Sequence, residues 1–196
     1  NGSNYNKLFL DPLFWQALKV TGNYVFISVP LRIIIGFSLA LLLNNKIAGM
    51  GIYRTMFYLP TVTSGVAVSL LWLWIFNPEF GILNAILLKF GIVGPAWLMS
   101  ETWALPAIII MSLWTVGGSM IIYLAGLQGI PSQLYEAVEM DGGSWLMKLW
   151  NVTLPMMTPI VFYNLIMGII GSFQVFTDAY IMTSGGPANS TLFYVL

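Results

Sequence analysis

The sequence predicts an all-α, polytopic bundle of transmembrane helices, and three observations carry that prediction. Hydrophobic residues make up 58% of the 196 and charged residues 7%, against a usual charged share of roughly 25%. The chain therefore has too little polar surface to cover its apolar atoms in water, and lipid has to be its solvent. Apolar runs recur at residues 22–43, 59–76, 104–127 and 158–182; at about 1.5 Å per residue each approaches or exceeds the roughly 30 Å of a hydrocarbon core. Between the last two runs, residues 136–159 form the longest polar interruption and hold Glu136, Glu139, Asp141 and Lys148, in a chain with seven acidic and seven basic residues.

The same composition excludes several functions. A formal net charge of zero argues against nucleic-acid binding, which needs a basic face. Cysteine and histidine are both absent, which removes disulfides, thiolate nucleophiles, the commonest metal ligands and the commonest general base. No metal site, catalytic constellation or cofactor is expected. Asn1 is not an initiator methionine and no leader pattern opens the chain, so the sequence reads as part of a longer protein.

The elements follow in order. Asp11-Pro12 is a helix start, a side-chain cap followed by a proline at the first helical position. Trp15 and Tyr24 suit a headgroup boundary. The first span, 22–43, contains Pro30 as a candidate kink and Arg32 near its middle, where an unpartnered guanidinium would cost at least about 3 kcal/mol. Arg32 is read either as packed against a neighbouring span or as lining a pathway. Residues 44–58, with Lys46 and Arg54, read as a short polar connection, and 59–76 as a second span with Pro60 in its first turn and a series of small residues that permit close helix approach.

Asn77-Pro78 signals a turn, and Ile82–Lys89 is too short to span and reads as an interfacial helix ended by Gly91, Gly94 and Pro95. Trp97 and Trp103 mark another interface. A third span covers 104–127 and a fourth 158–182, the latter with Asp178 near its end, where a charge is tolerable without a function. Residues 183–187 form a turn, and Leu192 onward reads as the start of a fifth span. Positive charges favour the Lys46 side as cytoplasmic.

Within the polar interruption, Ser132 is a candidate cap for a short amphipathic helix that carries Leu134 and Val138 on one face and Glu136 and Glu139 on another. Gly142-Gly143 stops it, Ser144 caps a second short helix with Trp145–Leu149 and Leu146–Trp150 apolar pairs, and Pro155 and Pro159 close that helix before the fourth span. Two short helices meeting at a glycine elbow suit either insertion into a groove on a soluble partner or an interfacial hairpin with a solvated acidic face. The residues alone leave both open.

The string EAVEMDGG at 136–143, followed by Val152-Thr153-Leu154-Pro155, resembles the EAA loop of inner-membrane permease subunits of binding-protein-dependent ABC importers. Glu136, Ala137, Asp141, Gly142, Leu154 and Pro155 match the family pattern; Val138 and Gly143 stand where alanines are usual, Val152 replaces the usual isoleucine, and Leu149 occupies a commonly aromatic position. DPLFWQAL at 11–18, YRTMFYLP at 53–60, NPEFG at 77–81 with Asn84, and SFQVF at 172–176 leading to TSGGP at 183–187 are similar to the carbohydrate-uptake branch of maltose-type and glycerol-phosphate-type permeases.

This resemblance implies a type I ABC importer permease fold of about four complete spans, as a single transmembrane domain over 1–196 with a cytoplasmic coupling loop at 131–159. It implies a multi-pass protein of a bacterial or archaeal plasma membrane, and four partners beyond lipid: an ABC ATPase dimer, a second permease subunit, an extracytoplasmic solute-binding protein and a carbohydrate. ATP hydrolysis would belong to the partner. In that reading Glu136 makes the ionic contact with the ATPase, aided by Ala137 and Glu139; Asp141-Gly142 forms the elbow; Leu134, Val138 and Trp145 anchor the loop; and Leu154-Pro155 closes it.

A sugar needs hydrogen-bonding groups beside flat apolar faces, and Trp114, Thr115, Ser119, Asn164, Ser172 and Gln174, with Arg32, could supply them. Nearby glycines are read equally as room for a ligand and as helix-packing notches. Two other readings stand beside sugar import: a permease of the same family for glycerol phosphate or another small polar solute, and a non-transporting scaffold that recruits a soluble protein.

Overall fold

The computed structural model describes residues 3–45 and 48–196, and its regular structure there is helical: α1 (Ser3–Leu10), α2 (Pro12–Leu43), α3 (Met50–Val62), α4 (Gly65–Ile75), α5 (Ile82–Lys89), α6 (Ala104–Trp114), α7 (Gly117–Gln128), α8 (Ser132–Met140), α9 (Trp145–Lys148), a π-turn (Leu149–Thr153), α10 (Leu154–Phe173) and α11 (Thr177–Met182). Lys46, which weighed in the charge asymmetry, lies outside the described residues.

Among the described residues, two helices are long and apolar enough to cross a membrane, Pro12–Leu43 with 32 residues and Trp145–Phe173 with 29, and the number rises to four if each of two broken pairs, α3 with α4 and α6 with α7, is one span. Their faces suit lipid. Phe162, Tyr163, Ile166, Met167 and Ile170 on α10 are all exposed, a contiguous apolar stripe that water would penalise.

The start of α2 follows the expected chemistry: the Leu13 N–H donates to Asp11 Oδ1 at 2.9 Å, satisfying one of the free donors of the first turn. The helix continues through Pro30 to Leu43. At its end the Arg54 guanidinium donates to the Leu43 carbonyl at 2.8 and 3.3 Å, a cation on free C-terminal carbonyls.

Several expectations are corrected. Residues 50–58 are helical and belong to α3, not to a polar connection. The second span is not continuous, because helix stops at Thr63-Ser64, with Ser64 in an extended conformation at φ −55° and ψ 132°. Thr61, Val62 and Thr63 lose rotamer freedom in a helix, and the hydroxyls compete for backbone groups. The third span breaks at Thr115-Val116, two β-branched residues followed by two glycines. The fourth ends at Phe173, and α11 follows after three non-helical residues, 174–176. Leu192–Leu196 is not helical.

By contact the chain divides into two compact units. The first comprises the described residues up to Val29, Thr63–Trp114 and Ile169–Leu196. Its core gathers Tyr24, Phe76, Trp97, Ile108, Ala179 and Phe193. Tyr24 and Trp97, read from sequence as boundary residues, are 2% and 6% exposed. Tyr24 meets Phe193 edge-on at 5.1 Å between ring centroids. The Trp97 indole donates to Asn84 Oδ1 at 2.7 Å, while Asn84 Nδ2 donates to the carbonyls of Pro78 and Pro95 at 3.1 and 3.2 Å. One amide thus ties α5 to the turns on either side. Asp178 is fastened as well, accepting from the buried Ser69 hydroxyl at 2.9 Å.

The second unit comprises Pro30–Val62 and Thr115–Gly168. Ala40, Leu43, Met120, Tyr123, Leu124, Leu127 and Met157 form its core. Helix α3 lies against α7 at Gly117, where a Cβ would fall 2.1 Å from the Phe57 carbonyl oxygen. Only glycine permits that backbone approach.

Candidate functional site: the acidic elbow of the second unit

Helix α8 ends in a geometry that the Gly-Gly pair dictates. The Gly143 N–H donates to the Val138 carbonyl at 2.8 Å and the Gly142 N–H to the Glu139 carbonyl at 2.9 Å, with Gly142 at φ +71°. This is the paired Schellman arrangement, in which a left-handed residue closes the helix and satisfies its last carbonyls. A Cβ on Gly143 would lie 2.3 Å from Val138 Cγ1, so the side chain at 138 fills the space beside 143.

Ser144 then caps the next helix, accepting from the Met147 N–H at 3.4 Å. The expected Ser132 cap is absent: Pro131 holds the capping position, with no side-chain bond, and Ser132 is the first helical residue. Nor do the prolines close a separate second helix. The helix begun at Trp145 runs unbroken to Phe173, because the π-turn makes room for Pro155. The Leu154 N–H reaches back five residues to the Leu149 carbonyl, widening the helix just where the proline ring and its missing N–H would disrupt a regular turn.

Helix α8 is fastened to this long helix along one face. Glu139 pairs with Lys148, and the Tyr135 hydroxyl bonds Thr153 Oγ1 at 3.1 Å, while Thr153 in turn donates to the Lys148 carbonyl at 3.3 Å. These groups line a cleft of about 580 Å³ whose other walls include Leu41, Asn44, Asn45, Leu127, Trp145 and Leu149. Glu136, Ala137, Asp141 and Gly142 remain exposed, as do Leu134 and Trp145, at 39% and 66%. Val138 and Leu154 are half-buried, and Pro155 is exposed. The arrangement presents two carboxylates that are unpaired among the described residues, Glu136 on α8 and Asp141 at the elbow, with Leu134 and Trp145 also exposed, and engages the third, Glu139, with Lys148.

The polar residues read as a pathway divide between the units. In the first, Trp114 is 40% exposed and meets Trp72 edge-on at 5.9 Å, Ser172 is fully buried, and Gln174 is exposed just past the end of α10. In the second, Ser119 donates to the Val116 carbonyl at 2.9 Å and Asn164 to the Ile160 carbonyl at 2.9 Å. The Thr115 carbonyl accepts from the Thr61 hydroxyl at 3.5 Å. Arg32 is half-buried. The Glu139–Lys148 pair was not anticipated from sequence, although an acid and a base nine residues apart across a Gly-Gly turn were the available signal.

An all-helical chain with lipid-suited spans, interrupted by an acidic helix and a glycine elbow, defines a polytopic membrane protein with one prominent polar loop. The chain belongs to the family of binding-protein-dependent transport system inner membrane components, whose pattern matches residues 32–195. It is 44% identical to a probable ABC transporter permease protein, YesP, of Bacillus subtilis, over 98% of this chain and 64% of that protein. It is 41% identical to the lactose transport system permease protein LacF of Rhizobium radiobacter, over 96% of this chain and 65% of the relative. Among solved structures, a chain of a bacterial alginate ABC transporter, crystallised with an alginate pentasaccharide-bound periplasmic protein, superposes with a TM-score of 0.85 at 25% identity, over 96% of this chain and 66% of that one. The chain thus spans just under two thirds of the length of the curated relatives it matches.

Proposed function

We propose that this chain is part of the permease subunit of an ATP-driven carbohydrate importer in a bacterial or archaeal plasma membrane. It forms half of a translocation pathway with a second permease subunit, receives a sugar from an extracytoplasmic solute-binding protein, and carries no catalytic site of its own. Residues 131–159 face the cytoplasm as the coupling loop, where Glu136 meets a basic group on an ABC ATPase and Leu134 and Trp145 seat against apolar surface.

The observation that carries this reading is the junction of α8 with the long helix. An exposed acidic helix joined by a Schellman elbow to a helix continuous from Trp145 to Phe173 is a mechanical connection between a docking element and a membrane-spanning one. Carbohydrate as cargo is supported by the relatives named for lactose and for trehalose/maltose transport.

Purification of the membrane complex tests the proposal. An ATPase subunit and a second permease should co-purify, and the cognate binding protein should retain a sugar in a screen of sugars and sugar phosphates. Retention of a sugar phosphate alone would redirect the substrate class; a complex without an ATPase would contradict the reading.

A further inference from the structure

The geometry points to Tyr135, Glu139, Lys148 and Thr153 as positioning residues that lock α8 to the long helix, so that the two move as one lever. This inference rests on the coupling role proposed above, and it concerns how that loop transmits motion rather than what it touches.

Tyr135 and Glu139 are four residues apart and therefore share one face of α8. Their partners, Thr153 and Lys148, lie on the other side of the elbow, at the π-turn and directly before it. Two fastenings about one helical turn apart along α8 resist rotation about the elbow, which a single contact would allow. The third side of the triangle is the Schellman junction itself. Lys148 is well placed for this task, because its side chain is only 23% exposed whereas that of Glu139 is 60% exposed; the cation is held in the cleft and the carboxylate reaches to it. The Thr153 hydroxyl donates to the Lys148 carbonyl, which leaves its oxygen to accept from Tyr135. One chain of bonds thus joins α8, the π-turn and the first turn of the long helix. A free elbow would absorb a displacement of α8, and a locked one passes it to the span.

The chain contains no cysteine, so a spin-label pair can be introduced at Gln133→Cys on α8 and Met156→Cys on α10, both exposed positions. In the assembled complex the label-to-label distance should form one narrow distribution that does not change between nucleotide-free and ATP-analogue-bound states. Glu139→Lys should broaden it, and Glu139→Lys with Lys148→Glu should narrow it again. Tyr135→Phe, which keeps the ring and removes only the hydroxyl, should broaden it without loss of folded protein. Stimulation of ATP hydrolysis by the loaded binding protein should fall about fivefold or more in Glu139→Lys and recover in the charge-swapped double variant. A distance that shifts with nucleotide in the parent chain, or single variants whose distributions match the parent's, would overturn the lever. Absence of an ATPase from the complex would instead count against the proposed function, since the label distance and its response to Glu139→Lys and Tyr135→Phe in the purified membrane protein still read the lock.

Discussion

Val138 Cγ1 occupies the position beside Gly143 that a β-carbon would need, at 2.3 Å from where that atom would be built. The two residues are therefore a matched pair: the larger side chain on α8 is accommodated by the missing one at the elbow. The Val138 carbonyl oxygen adds a second obstacle, 2.7 Å from the same built position.

Gly143→Ala should accordingly destabilise the second unit by on the order of 1–3 kcal/mol, the usual range for an overpacked site. Val138→Ala on the Gly143→Ala background should restore part of that loss. Recovery stays partial because the added Cβ also lies 2.7 Å from the Val138 carbonyl oxygen, which the second substitution does not remove. Thermal unfolding midpoints of the four purified proteins check this, and strict additivity of the two changes would show that the pair is not coupled.

Asn84 should be intolerant of change. Asn84→Ala removes both donors to Pro78 and Pro95 and orphans the Trp97 indole, and an unsatisfied buried donor alone costs about 1–3 kcal/mol. Asn84→Asp keeps the acceptor for Trp97 but turns an oxygen toward two carbonyls, so it too should lower the midpoint. The exposed Asn151→Ala is the control and should leave the midpoint unchanged.

Two glycines of the second unit should respond differently to alanine. At Gly117 the new Cβ meets backbone, the Phe57 carbonyl oxygen at 2.1 Å, whereas at Gly126 it meets the flexible end of Ile160 at 2.2 Å. A side-chain end can change rotamer, and a backbone carbonyl within a helix cannot. Gly117→Ala should therefore cost more than Gly126→Ala, which should stay within about 1.5 kcal/mol. Gly22→Ala meets nothing within 4 Å and should be neutral or stabilising by up to about 1 kcal/mol through helix propensity. Ranked unfolding midpoints decide the order.

Features governed by local chemistry were legible in the sequence. Asp11-Pro12 starts α2, Ile82–Lys89 has the expected bounds, and Gly142 stops α8, because caps, turn residues and left-handed glycines act within a few positions. The breaks at Thr63-Ser64 and Thr115-Val116 were not legible, since apolar composition reads the same through a broken helix as through a whole one. The burial of Tyr24 and Trp97 was not legible for a different reason: each ring is packed by a distant partner, Phe193 or Asn84, and a half-wet aromatic and a buried one look alike in sequence. The acidic elbow was half legible. Its acids and its elbow stood out, while the division of labour between Glu136, exposed, and Glu139, paired with Lys148, needed the fold.

The central claim is that the exposed carboxylate of α8 couples this chain to an ATPase. Its most direct test is transport by the Glu136→Lys variant of the assembled complex in proteoliposomes, using the sugar that the cognate binding protein retains. Loss of uptake, with the variant still inserted in the membrane at parental levels, is the predicted result; uptake equal to that of the parent would contradict the account.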